Sequence, residues 1–164
     1  MLRIVFVCLG NICRSPIAEG TFQALLEQQN LTKKITCDSA GTHNYHIGEL
    51  PDHRTRKNAE SHGINLTHHC RRLTGADFAK FDYVVAMDES NLENIQAISY
   101  RATGIHQPNE ICFLLREFDP IETTNLSVPD PYYGDEKDFE EVYQIVNRCN
   151  ESFLDWLIGK HNLA

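Results

Sequence analysis

The chain has 164 residues, of which 41% are hydrophobic and 23% are charged, as in ordinary globular proteins. A chain of this length can bury a core without disulfides, so we predict one domain over residues 1–164. The formal net charge of −8 argues against binding to nucleic acid or to an anionic membrane surface, and the sequence holds no run of about 18 apolar residues that could cross a membrane.

The predicted elements alternate between strands and helices along the chain. Apolar runs predict strands at 2–7, 34–40, 83–87 and 111–115. Apolar residues at helical spacing predict helices at about 16–30, 52–62, 89–99 and 136–158, with a short helix at 75–81. The first helix has Ser15 as its predicted N-cap and Pro16 at its first position. The predicted loops are 42–50, 100–110 and 116–134.

The six cysteines lie mostly inside predicted strands and helices rather than in loops. The start of the chain does not resemble a secretion signal, because its apolar run is short and the helix that follows carries a charge at Glu19. We therefore expect reduced thiols and a cytoplasmic location rather than a disulfide framework.

The alternation of elements predicts an α/β fold with three layers, in which helices cover both faces of a sheet. Right-handed crossovers then give a four-stranded parallel sheet, which we expect to be flavodoxin-like with strand order 2-1-3-4. Ligands of such sheets bind beyond the carboxyl ends of the strands. Cys8, Ser39, Asp88 and the loop after the fourth strand all fall at that edge, so a site is expected there.

Residues 8–16 read Cys-Leu-Gly-Asn-Ile-Cys-Arg-Ser-Pro and follow the first strand directly. Backbone amides of a tight loop that leads into a helix bind anions, and an arginine such as Arg14 binds two phosphate oxygens together. The same positive potential favours the thiolate of Cys8, its nucleophilic form, and Ser15 could donate a hydroxyl proton to the sulfur. The Gly-Asn pair at 10–11 suits the left-handed backbone angles that turn amides inward.

A second segment, residues 130–135, reads Asp-Pro-Tyr-Tyr-Gly-Asp. Displacing an alkoxide or phenoxide from phosphorus requires a proton donor opposite the nucleophile, and Asp130 on a proline-fixed loop could supply it. Tyr132 and Tyr133 could form apolar walls around an aromatic leaving group.

Residues 8–16 and 130–134 resemble the two signature segments of the low-molecular-weight protein tyrosine phosphatases. Residues 39–42, His68 and residues 87–92 also match segments of that family in order, so the resemblance covers nearly the whole chain. It implies a hydrolase that cleaves phosphotyrosine through a phosphocysteine intermediate.

The resemblance assigns a role to three residues in that reaction. Cys8 would attack the phosphorus, while Arg14 and the loop amides hold the phosphate oxygens. Asp130 would protonate the departing phenolate and then activate the water that hydrolyses the thiophosphate. No metal or other cofactor is implied.

The resemblance also implies roles for the residues around these three. Asn11, Ser39 and His68 would hold the loop in shape, and Ser15 would assist the thiolate. Cys13 would either form a protective disulfide with Cys8 under oxidation or simply pack in the core, and both interpretations stay open. The substrate-binding residues that the resemblance implies are Leu9, Gly10, Asn11, Ile12, Cys13, Ser15, Tyr45, Tyr132 and Tyr133.

Tyrosine-phosphorylated proteins are the expected partners, and we expect the chain to act as a monomer or weak dimer. The run His68-His69-Cys70 does not predict a zinc site, because adjacent side chains diverge and no second ligand pair has suitable spacing. Arg71 and Arg72 are expected to be ordinary surface charges.

Three alternatives share part of this pattern. A thiol-dependent arsenate reductase of the same fold needs further cysteines after the third strand, and residues 88–99 contain none. A protein-arginine phosphatase of the same fold tends to have threonine in place of Ile12 and to lack the paired tyrosines. A non-catalytic phosphate-binding module would have no use for Asp130.

Overall fold

A computed structural model of the protein describes residues 1–163. The strands are β1 (Leu2–Cys8), β2 (Ile35–Gly41), β3 (Tyr83–Ala86) and β4 (Cys112–Leu114). The helices are α1 (Arg14–Gln28), α2 (His53–Ser61), α3 (Asp77–Lys80), α4 (Glu89–Thr103) and α5 (Glu136–His161), and a 3-10 turn occupies Leu115–Phe118. Within residues 1–163, no helix is both long enough and apolar enough to span a bilayer.

The sheet confirms the predicted topology, because its strands are all parallel and have the order β2-β1-β3-β4. The central strand β1 is apolar on both faces since each face is covered. Phe6 packs on one face with Phe22 of α1 and Phe153 of α5, and Val5 packs on the other with Ile95 of α4. This three-layer packing leaves the carboxyl ends of the strands free to carry a site.

The start of α1 differs from the prediction. The helix begins at Arg14 with Cys13 at the N-cap, so Ser15 and Pro16 are its second and third residues. The predicted N-cap at Ser15 is wrong because the Ser15 hydroxyl bonds the Cys8 sulfur instead of a backbone amide of its own helix. Pro16 still lies in the first turn, where a missing N–H removes no intrahelical bond.

Two helices extend beyond their predicted ends. Helix α4 continues through Thr103, so the prediction of a loop is wrong for residues 100–103. It ends where Gly104 takes a left-handed φ of 78° and donates its N–H to the Tyr100 carbonyl. Helix α5 runs three residues past Ile158 to His161, and Asn162 ends it in the left-handed region with a φ of 52°.

The long segment 116–134, which leads to Asp130, is held by a buried carboxylate. The side chain of Asp119 has no exposed surface and accepts bonds from Arg116 (3.1 Å) and from two nitrogens of Arg148 (both 2.9 Å). Arg116 also donates to the Ser127 carbonyl at 2.6 Å. The irregular segment is therefore attached to α5 at its start and stiffened close to the site.

Candidate active site

The carboxyl edge of the sheet contains a cavity of about 280 Å³. It is lined by the loop after β1, the loop after β2 and the segment before α5, with Cys8, Leu9, Gly10, Ile12, Cys13, Arg14, Tyr45, His46, Asp130, Tyr132 and Tyr133. All of these except His46 are predicted site residues. The other predicted residues, Asn11, Ser15, Ser39 and His68, lie beneath the loop, and their side chains do not line the cavity.

The sulfur of Cys8 lies at the end of β1 and is almost fully buried. Its partner is the Ser15 hydroxyl, with Sγ and Oγ 3.0 Å apart. Asn11 donates its Nδ2–H to the same Oγ at 2.8 Å, so this oxygen already acts as an acceptor. The Ser15 proton can then point at the sulfur, where it would stabilise a thiolate, and its other acceptor is the Ala40 carbonyl at the longer distance of 3.4 Å.

Asn11 is the centre of the buried network below the loop. Its backbone has a left-handed φ of 58°, which agrees with the prediction for Asn11 but not for Gly10, whose φ is not positive. The amide group donates to Ser39 Oγ at 3.0 Å, and the amide oxygen accepts from His68 Nε2 at 2.7 Å. Since that oxygen has no proton, His68 carries its proton on Nε2.

Arg14 is the first residue of α1, and its guanidinium is buried at the base of the cavity. Nη1 donates to Asp88 Oδ2 at 2.6 Å and to the Val128 carbonyl at 3.1 Å. Burial opposes the charge of Arg14, but Cys8 and the hydrogen-bonded Asp88 outweigh it and raise the pKa of Arg14 above its ordinary value. A permanent, fixed cation therefore lies beside the thiol.

Asp130 approaches the same arginine from the segment before α5. Its Oδ2 lies 3.7 Å from Arg14 Nη2, and Oδ1 accepts the backbone N–H of Tyr132 at 3.1 Å. The Asp130 side chain is half exposed at the cavity mouth, where it can exchange protons with water. The rings of Tyr132 and Tyr133 meet edge to face with centroids 5.0 Å apart, and Tyr133 is almost fully exposed.

Comparison with known proteins decides the family of the chain. A family model described as low molecular weight phosphotyrosine protein phosphatase matches residues 3–162. The human protein of that name is 45% identical over 152 residues, which cover 93% of each chain. The chain belongs to the low-molecular-weight phosphotyrosine protein phosphatases. It is therefore a member of a hydrolase family, as the sequence motifs predicted.

Solved structures of other phosphatases have the same fold as this chain. A protein tyrosine phosphatase from Entamoeba histolytica is 35% identical, with a TM-score of 0.88 over 98% of this chain and 99% of that one. An arginine phosphatase from Drosophila is 30% identical, with a TM-score of 0.86 over 94% of this chain and 96% of that one.

The two cysteines of the phosphatase loop differ in their surroundings. Burial is the main reason that the pKa of Cys13 rises to about 12, and the nearby Asp52 and Cys8 charges add to it. Cys13 is therefore a neutral thiol at physiological pH and a poor nucleophile. Its place beside Cys8 in the cavity wall is compatible with both interpretations left open by the sequence.

His46 is the lining residue that sequence reasoning missed. Its Nδ1 lies 2.6 Å from Glu49 Oε2, and its ring covers Gly10 so closely that a Cβ there would lie 3.3 Å from His46 Cδ2. A side chain at position 10 would therefore have to displace the His46 ring by a few tenths of an ångström. No periodicity fixes the path of the loop after β2, so the sequence alone could not direct His46 into the cavity.

A charged cluster lies behind Ser39 and His68. His68 Nδ1 is 3.5 Å from Glu19 Oε2 and 3.4 Å from Asp38 Oδ1, close enough together for the three residues to share a cation. The carboxylate oxygens that would bind such a cation already accept hydrogen bonds: Glu19 accepts one from Ser39, and Asp38 accepts one from Arg71 at 3.0 Å. The expectation that Arg71 is an ordinary surface charge is wrong, since it supplies the positive charge of this cluster.

Proposed function

We propose that the phosphatase hydrolyses phosphotyrosine in proteins through a covalent phosphocysteine intermediate on Cys8. The observation that carries this proposal is that a thiol, a buried arginine and a half-exposed carboxyl group line one small cavity. Each of the three steps of phosphoryl transfer, namely attack, charge stabilisation and protonation of the leaving group, then has a group suited to it.

In the first step, the Cys8 thiolate attacks phosphorus, a sulfur–phosphorus bond forms and the bond to the tyrosine oxygen breaks. Asp130 gives its proton to the phenolate as it departs. Arg14 and the loop amides hold the other phosphate oxygens, whose charge is spread in the transition state. The Ser15 hydroxyl stabilises the thiolate before attack.

In the second step, the Asp130 carboxylate accepts a proton from water as the water oxygen attacks phosphorus. The sulfur–phosphorus bond breaks, inorganic phosphate forms, and the thiolate and the protonated carboxyl group are restored. The reaction balances without a metal, oxidant or other cofactor.

The aromatic residues at the cavity mouth favour an aryl phosphate. Tyr132 borders the cavity, and Tyr133 and Tyr45 expose large ring surfaces beside it. A phenyl ring can pack on these apolar faces. Ile12 supports the same choice, because it is an apolar residue of the cavity lining.

We further propose that the chain acts in the cytoplasm as one domain, as a monomer or weak dimer. All six cysteines are free thiols, and a thiol nucleophile requires a reducing compartment to remain active.

A substrate panel tests the proposal. Phosphotyrosine peptides and para-nitrophenyl phosphate should be hydrolysed, with inhibition by vanadate and no effect of a chelator. Phosphoarginine should be a poor substrate, and arsenate with a thiol reductant should not be reduced. Ile12→Thr should raise the ratio of phosphoarginine to phosphotyrosine turnover. Faster hydrolysis of phosphoarginine by the native protein, or loss of activity with the chelator, would contradict the proposal.

A further inference from the structure

Backbone carbonyl groups at the end of β1 and in the loop that follows accept hydrogen bonds from segments outside the loop. The Cys8 carbonyl accepts the N–H of Thr42 at 2.9 Å, and the Leu9 carbonyl accepts the N–H of His43 at 3.0 Å. The Ile12 carbonyl accepts the N–H of Asp52 at 2.8 Å. These donors are backbone groups, so no side-chain substitution removes them.

Each of these hydrogen bonds also orients the next backbone amide. In a trans peptide, the carbonyl and the following N–H point in opposite directions, so a carbonyl held outside turns the next N–H inward. The hydrogen bonds to the carbonyls of residues 8, 9 and 12 therefore orient the amides that follow them. Those amides belong to Leu9, Gly10 and Cys13, which line the cavity. Ile12 is the remaining lining residue of this stretch, and its amide depends on the Asn11 carbonyl.

The Asn11 carbonyl is held by a side chain rather than by backbone. Cys70 Sγ donates to it at 2.8 Å. Cys70 is almost fully buried, and burial is the main reason that its pKa rises to about 11, so it keeps its proton at neutral pH. Its own backbone is fixed by bonds to Glu49 and Gly48, both at 2.8 Å, which leaves the thiol little freedom.

The peptide between Asn11 and Ile12 needs such a restraint. Asn11 has a φ of 58°, a region that costs energy for residues other than glycine. Its side chain is fixed by Ser15, Ser39 and His68, but those bonds do not hold the carbonyl. Without a donor on the carbonyl, this peptide could rotate and turn the Ile12 amide out of the cavity.

We infer that Cys70 is a positioning residue of the phosphatase, whose thiol holds the Asn11–Ile12 peptide so that the Ile12 amide faces the phosphate oxygens. The inference rests on the proposed function, since it assigns a task to the same phosphate pocket. Cys70 does not touch the substrate and acts through Asn11.

Three substitutions separate this role from simple packing. Cys70→Ala and Cys70→Val lack the donor, and valine, which is larger than cysteine, leaves no cavity in place of the sulfur. Cys70→Ser keeps a donor, and a hydroxyl on a shorter bond still reaches the carbonyl because 2.8 Å is a short distance for a sulfur donor. Cys112→Ala is the control, since Cys112 is equally buried but lies in β4, outside the cavity.

Three readouts report the orientation of the loop: kcat for para-nitrophenyl phosphate, the dissociation constant of inorganic phosphate, and the NMR signal of the Ile12 amide. Cys70→Ala and Cys70→Val should each lower kcat and weaken phosphate binding by about tenfold, less than deleting an oxyanion donor outright. Cys70→Ser should stay within about twofold of the native protein, because its hydrogen bond survives. In NMR spectra, the Ile12 amide signal should shift on phosphate addition in the native protein and in Cys70→Ser only.

The inference is overturned if Cys70→Ala binds phosphate as the native protein does, or if Cys70→Ser is as impaired as Cys70→Ala. It is also overturned if Cys112→Ala shows the same loss, since the effect would then be one of packing. A native protein that binds phosphate but hydrolyses no phosphate ester would instead contradict the proposed function, and phosphate binding by the variants would still test Cys70.

Discussion

Among the single residues of the site, the carboxyl group of Asp130 distinguishes an enzyme that turns over phosphate esters from a protein that only binds phosphate. It lies 3.7 Å from Arg14, so it shares the anion pocket, yet half of its side chain remains exposed. A carboxyl group placed only to balance the charge of Arg14 would be redundant, because Asp88 already pairs with that guanidinium at 2.6 Å. The exposed position suits a group that must both give and take a proton.

Replacing Asp130 by asparagine should therefore separate chemistry from binding. Asp130→Asn keeps the shape of the side chain but cannot transfer the proton, so we expect kcat to fall by about a hundredfold or more. The inhibition constant for inorganic phosphate should change little or improve, since a negative charge beside the anion is lost. Steady-state kinetics and phosphate inhibition measure both, with the exposed Glu136→Gln as the matched control. A kcat within a few-fold of the native value would remove Asp130 from the mechanism.

At the scale of elements, the segment between β4 and α5 must be held in place, because it carries Asp130 without regular structure over residues 119–135. Asp119 anchors its start to Arg148 of α5, and Arg116 binds the Ser127 carbonyl near its end. The backbone N–H of Val128 donates to the Met87 carbonyl at 2.8 Å, beside the end of β3. The segment is thus attached to the helix and to the sheet before it reaches the cavity.

Asp119→Asn should lower the free energy of unfolding. Burial alone would raise the pKa of Asp119, but bonds from Arg148, from the Ile121 and Glu122 amides and from Arg116 hold it far below the ordinary value. Removing the charge leaves the buried Arg116 and the partly buried Arg148 without their carboxylate partner, which should cost about 3 kcal/mol at pH 7. Denaturant unfolding measures this, and Asp155→Asn on the exposed side of α5 should change stability by less than about 0.5 kcal/mol.

The same carboxylate predicts a pH dependence. Because the pKa of Asp119 is lower in the folded than in the unfolded protein, its stabilising effect is complete above the unfolded pKa of about 4 and decreases as the pH falls below it. The difference in unfolding free energy between native protein and Asp119→Asn should stay constant from pH 8 to 5 and shrink below about pH 4. A difference that grew on acidification would show that the carboxylate is not held in its charged form.

At the scale of the whole molecule, the phosphate pocket joins parts of the fold that are distant in sequence. Arg14 at the start of α1 bonds Asp88 at the start of α4 and the Val128 carbonyl of the irregular segment between β4 and α5. An anion bound to Arg14 and the loop amides therefore adds contacts that exist only in the folded chain.

Inorganic phosphate should accordingly raise the thermal midpoint of the native protein. At a concentration of 100 times the dissociation constant, the expected gain is about 2.7 kcal/mol. Arg14→Ala should abolish the shift, whatever its own midpoint, whereas Arg72→Ala on an exposed side chain should keep it. Differential scanning fluorimetry measures all three, and an equal shift in Arg14→Ala would place the phosphate elsewhere.

The sequence predicted the parts of the molecule that depend on local pattern. The strand–helix alternation predicts the observed parallel sheet, and residues 8–16 contain the thiol, the arginine and the helix start within one short segment. The location of Asp130 in the cavity also agrees with the prediction, because residues 116–135 follow β4 at the carboxyl edge of the sheet.

The parts that the sequence did not predict depend on contacts between distant residues. His46, Cys70 and Arg71 have no periodicity or motif that indicates their partners, since each acts on a residue that is distant in the sequence. The N-cap of α1 was mispredicted for a related reason, because a serine before proline normally caps a helix, and here the nearby sulfur competes for its hydroxyl.

If turnover passes through a phosphoryl group on Cys8, acid quenching during turnover should trap that group. Asp130→Asn, in which water activation is impaired, is mixed with para-nitrophenyl phosphate, quenched in acid and digested for mass spectrometry. We predict one additional phosphoryl group on the peptide that contains Cys8. Adding Cys8→Ser to the Asp130→Asn variant should abolish this signal, whereas adding Cys70→Ser should retain it. A phosphoryl group on any other residue, or turnover by Cys8→Ser at the native rate, would contradict a phosphocysteine intermediate on Cys8.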